Sequence, residues 1–73
     1  MKPNEKYKNN LRALRNQQQL TQRQAAALLG MKIQDRLSHW EKGYSLPHMK
    51  NLMKLCKLYK ALPHEIYSEG TFS

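Results

Sequence analysis

Four breaks govern what this chain can fold into: Gly30, Gly43, Pro47 and Pro63 cut it into runs of helical length, and no run alternates apolar with polar residues as a strand would. A chain punctuated in this way folds as short helices joined by tight turns, and five helices are expected. The first covers about residues 7–18, with Tyr7, Leu11, Leu14 and Gln18 on one face and Lys6, Lys8 and Arg12 towards water. Thr21 is placed to cap a second helix from Gln22 to Leu29, and Gly30 is free to take the left-handed conformation that ends it. After a turn at residues 31–33, a third, nine-residue helix is expected over 34–42, with Leu37, Trp40 and Glu41 facing the body and Gly43 closing it. The fourth is expected to begin near Pro47, where a missing amide hydrogen costs nothing. Its apolar face is read as Met49, Leu52, Met53, Cys56 and Tyr59, and Lys50, Lys54, Lys57 and Lys60 form the opposite stripe. Pro63 opens a last short turn of helix holding Ile66 and Tyr67.

Seventy-three residues make one domain with a thin core. The folded body is expected over 7–67, between a flexible 1–6 and a 68–73 tail. Thirteen Lys and Arg against five Asp and Glu leave a formal charge of +8, so the natural partner is a polyanion, with nucleic acid the leading candidate, although the charge alone suits an anionic membrane or a merely soluble basic protein equally. The lysine stripe of the fourth helix is read as a solvated face whose outer end is able to touch phosphates. One cysteine, Cys56, excludes an internal disulfide and any multi-cysteine metal site, and it is read as a small buried hydrophobe. His39, His48 and His64 lack ligand spacing, and the carboxylates are scattered. No metal, cofactor, catalytic residue or membrane partner is therefore expected, and the reading is of a cytoplasmic protein that is not an enzyme.

Two short helices joined by a glycine turn make a compact unit whose second helix is presented outward once its flanks are packed. The major groove of duplex DNA is about as wide as one α-helix, so a polar outer side there touches base edges. That side carries Gln34, Asp35, Arg36, Ser38 and His39. Each alone is what any surface carries; their joint placement points to function. Trp40, at helical spacing with Leu37, is read as core.

The segments LTQRQAA at 20–26, LG at 29–30 and LSHWEKG at 37–43, with Pro47 before an apolar helix, resemble the phage-repressor and Cro type helix-turn-helix family, often called XRE. The resemblance covers about residues 7–67. It implies an all-α, compact five-helix helix-turn-helix domain of the λ-repressor-like DNA-binding fold. The implied function is a sequence-specific double-stranded DNA-binding regulator, a repressor, that reads the major groove with the third helix. By resemblance, Gln34, Asp35, Arg36 and His39 face bases, and their chemistry suits Gln to adenine, Arg to guanine and Asp to a cytosine amino group. Thr21, Gln22, Arg23 and Lys42 match phosphate-contacting positions, and Arg15 and Glu41 resemble an ion pair that ties the third helix to the scaffold. A domain this small buries too little to bind tightly alone, so a homodimer is expected, with Leu62, Ile66, Tyr67 and Phe72 either as its candidate surface or, equally, as residues that only close the core.

The chain departs from the family pattern in four places. One residue more than the commonest form separates Gly30 from Leu37, which lengthens the turn and delays the third helix. Ala25 stands where a larger aliphatic is usual and Leu28 where a solvent-facing residue is common, and the two are read as a compensating pair in packing. His48 replaces the usual cap before the fourth helix. The alternative function is an antitoxin or antirepressor-like module whose main partner is another protein. An exposed apolar patch around Leu28 and Met31 would mark it, whereas exposed Gln34, Arg36 and His39 on a positive surface would mark DNA. A membrane-surface or RNA-binding peptide is disfavoured, because the lysines are dispersed and no aromatic platform is expected outside.

Overall fold

The structure, a computed structural model, describes residues 6–67; the expected tail with Phe72, and residues 1–5, lie outside the described residues. Five helices follow in order, α1 (Leu11–Gln17), α2 (Gln22–Leu28), α3 (Asp35–Glu41), α4 (Met49–Tyr59) and α5 (Pro63–Ile66), and the described residues contain no strand. α1 begins later than its apolar spacing suggests because the preceding backbone is used elsewhere. The amides of Lys6 and Tyr7 both donate to the Gly43 carbonyl, at 3.1 and 3.0 Å. Asn9 then starts the helix: its Oδ1 accepts from the Leu11 amide at 3.0 Å, while its Nδ2 donates to the Trp40 carbonyl at 2.8 Å. One side chain thus opens α1 and ties it to α3.

The cap at Thr21 forms with a reciprocal partner. Thr21 Oγ1 accepts from the Gln24 amide at 3.0 Å and Gln24 Oε1 accepts from the Thr21 amide at 2.9 Å, satisfying two otherwise orphaned donors. α2 stops where Gly30, at φ 82°, lets the Met31 amide reach back to the Ala26 carbonyl at 2.9 Å. Gly43, at φ 79°, does the same after α3, with Tyr44 donating to the His39 carbonyl at 3.0 Å. α3 is seven residues long, two fewer than expected, because Gln34 (φ −89°, ψ −1°) and Lys42 (φ −79°, ψ −7°) flank it in turn-like conformations. Its delayed start agrees with the longer connection. α4 begins at Met49 and not at Pro47, since His48 between them is extended (ψ 159°). Pro63 does open α5, where Glu65 Oε1 accepts from the Leu62 amide at 2.7 Å.

The core is one cluster in which Leu11, Ala25, Leu37, Leu55 and Ile66 are fully buried, joined by Trp40 and Tyr59. α1 packs on α3 and α4, α2 on α3, and α4 on α5. Three expectations about packing are corrected here. Met49 and Met53, read as core, are 70% and 64% exposed; the buried seam of α4 runs through Leu55 and Tyr59, flanked by Leu52, Cys56 and Leu58. Ile66 and Tyr67, read as a dimer surface, are inside the monomer because α5 folds back on α1, where Asn10 donates to the carbonyls of Ile66 and Glu65, each at 3.0 Å. Leu62 alone of that set is exposed among the described residues. Leu28 does not compensate for Ala25, since it points to solvent while Ala25 lies flush in the core. Cys56 is half-buried, and burial pushes its thiol pKa up, so it stays protonated at neutral pH. Among the described residues no helix is long and apolar enough to cross a membrane, and no group of three or more His, Cys, Asp or Glu gathers at one place.

Candidate nucleic-acid interface

α3 is fixed from behind and open in front. Leu37 and Trp40 anchor it apolarly, and Glu41 anchors it by charge. Arg15 Nε donates to Glu41 Oε2 at 2.7 Å and Arg15 Nη2 to Glu41 Oε1 at 3.2 Å, a two-pronged pair with only 10% and 4% of the side chains exposed. Arg15 Nη1 also donates to the Leu20 carbonyl at 2.8 Å. The hydrogen bond to Glu41 raises the Arg15 pKa, against the lowering effect of burial. Gln22 Nε2 donates to Glu41 Oε1 at 2.9 Å, and Gln34 Nε2 reaches Gln22 Oε1 at 3.5 Å. A continuous polar chain therefore runs from α1 through the end of α3 to the starts of α2 and α3. A buried pair of this kind fixes orientation more than it adds net stability. Tyr59 packs near it: burial pushes its phenol pKa to about 12, with the Glu41 charge adding and the Arg15 charge offsetting, and its hydroxyl is buried without a hydrogen-bond partner.

In front, Gln34, Asp35, Arg36 and His39 are exposed and Ser38 is half-buried. On one flank of α3 a groove is lined by Arg12, Thr21, Gln22, Ser38 and Lys42. That brings together three of the four residues expected to meet phosphate and adds Arg12, which the sequence reading left as a solvated side chain. Arg23, the fourth, lies apart, in a groove with Ala27, Ile33, Gln34 and Asp35. Both ends of the Gln22 amide are engaged inside the protein, so its contact with a ligand would come through the network that it joins. On the other flank Arg36 and His39 line a groove against the 31–33 turn and α4.

Tyr44 was not foreseen. It is 46% exposed, with its ring centroid 5.7 Å from that of His39 and 6.0 Å from Lys42 Nζ, so the C-terminal end of α3 presents an outward aromatic between an imidazole and a lysine. Its signal in the sequence was its place directly after the Gly43 stop, where the chain turns outward. Both marks set up to separate the functions are present in part. Gln34, Arg36 and His39 are exposed; Leu28 is 64% and Ile33 65% exposed, whereas Met31 is half-buried.

Residues 11–66, which contain all five helices, match the family model described as Helix-turn-helix. None of the curated proteins is a match for this chain.

Proposed function

From membership of the XRE-type helix-turn-helix family of DNA-binding regulatory domains, to which the chain belongs, we propose that it is a sequence-specific repressor that reads the major groove with α3. The observation that carries this reading is the two-sidedness of α3: Glu41 is locked to Arg15 while Asp35, Arg36 and His39 face solvent. A reading helix needs a fixed pose and free polar ends, because each well-placed base contact contributes about 1–3 kcal/mol of discrimination only when the side chain is held in register. In this reading Gln34, Asp35, Arg36 and His39 meet base edges, and Thr21, Gln22 and Lys42 set register on the backbone from the adjacent groove. Arg23 meets the backbone elsewhere. Two copies bind half-sites about one helical turn apart. Leu62 contributes to their contact.

Selection of bound sequences from random duplexes at fixed salt tests this. One enriched, two-fold symmetric sequence is expected, with Arg36→Ala costing about 1–3 kcal/mol at one base pair and Gln22→Ala weakening all sequences alike. Absence of any enriched sequence overturns it. The exposed Leu28 and Ile33 favour a second reading, a module whose main partner is a protein. Retained sequence selection in Leu28→Ser, with loss of a bound protein partner, would support both roles on separate faces.

A further inference from the structure

Resting on that reading, we infer that the groove between α3 and α4 seats a backbone phosphate of the second DNA strand, held by Lys32 and Lys54. At about 100° per residue, Arg36 and Ser38 lie about 160° apart around α3. Ser38 lines the groove shared with α1 and the start of α2, and Arg36 lines the one shared with the 31–33 turn and α4. α3 therefore has a groove on each flank. A helix lying in the major groove has a phosphodiester rail on each side of it. The first groove supplies Arg12 and Lys42 to one rail.

The second groove is built for the other. Lys32 enters it from the lengthened turn, Lys54 from α4 and Arg36 from α3, with Asp35 as its carboxylate and Asn51 as a neutral donor. Lys32, Arg36 and Lys54 are exposed, and none of the three side chains has a hydrogen bond or ion pair among the described residues. Three cations against one carboxylate give the groove a net positive lining, which attracts an anion. Lysine suits the task as a mobile point charge, leaving Arg36 for planar recognition of a base. The stripe on α4 is thereby divided: Lys54 lines the groove, and Lys50 and Lys57 do not.

The test is equilibrium binding of the selected duplex over a range of salt. Lys54→Gln should flatten the dependence of log K on log[salt] by about 0.9, a loss of about fivefold at physiological salt, equal for selected and random duplexes. Adding Lys32→Gln should change the slope little further, because both serve one phosphate. Lys57→Gln, on the same helix outside the groove, should keep the original slope. Neutral methylphosphonates placed one at a time along the backbone should reveal a position that weakens the unmodified protein about fivefold and leaves Lys54→Gln unaffected. Enrichment of a sequence together with unaltered slopes in Lys54→Gln, or with every methylphosphonate penalty retained in it, overturns this inference alone. Failure to enrich any sequence overturns the parent reading and this one with it.

Discussion

α2 and α3 have the same length, seven residues each, and are held in opposite ways. α2 is secured at its ends: a reciprocal Thr21 and Gln24 cap starts it, the left-handed Gly30 stops it, and Ala25 and Ala26 lie flush against the core between them. α3 has no side-chain cap at its start and is secured from behind, by Leu37, Trp40 and the Glu41 pair with Arg15. The difference shows how one small unit provides both a scaffold and a presenting helix. The small side chains of Ala25 and Ala26 let α2 pack closely against the core. Rear anchoring leaves Asp35 and Arg36 on the front of α3 without a hydrogen bond or ion pair among the described residues, which is the condition for touching something else.

Loss of Glu41 should have the largest effect on this difference between the two helices. Glu41→Ala leaves the 8% exposed Arg15 with only the Leu20 carbonyl, and should cost about 4 kcal/mol, close to the whole margin of so small a domain. Urea unfolding reads the loss, and amide exchange should show α3 opening before α2; a loss under about 1 kcal/mol would mean that the pair does not hold α3. Next comes a contrast within α3: Leu37→Ala should cost about 3 kcal/mol through the cavity it leaves, and its neighbour Arg36→Ala less than about 0.5 kcal/mol. Equal costs would show that the outer face is packed after all. Thr21→Ala should cost about 1 kcal/mol, and Gln34→Ala, where no cap bond exists, less than about 0.5 kcal/mol, as measured by thermal unfolding.

The smallest effect belongs to Tyr59, whose hydroxyl is buried without a partner. Tyr59→Phe should leave stability near neutral pH unchanged or slightly raised, because no hydrogen bond is lost. Its folded pKa, about 12 against an ordinary 10.0, means that the folded state holds the proton longer than the unfolded chain. The associated stability is complete below about pH 10 and drains away as pH rises towards 12. Chemical denaturation across that window should therefore lose some of its steepness in Tyr59→Phe; an unchanged slope would show that this phenol is not the group responsible.

Much of the fold was legible residue by residue. Thr21, Gly30, Gly43 and Pro63 act where they were expected to, because a cap, a left-handed stop or a fixed φ works on amides only a few residues away. The outward set on α3 was legible for the same reason once Leu37 and Trp40 were placed inside. Less legible were Asn9 and Tyr44, whose roles depend on Trp40 and on the ring of His39, and the grouping of Lys32 with Lys54, which lie on different elements.

The order of residues was enough to set how α2 begins and ends, where α3 stops, where α5 opens, and that one helix would carry a polar outer side, since the caps and stops are settled by short-range backbone chemistry. Tertiary structure alone decided that Met49 and Met53 face water, that Ile66 and Tyr67 close the core, and that α1 waits until Leu11. An apolar stripe on a helix is compatible with several rotations about its axis, and only the neighbours packed against it select one.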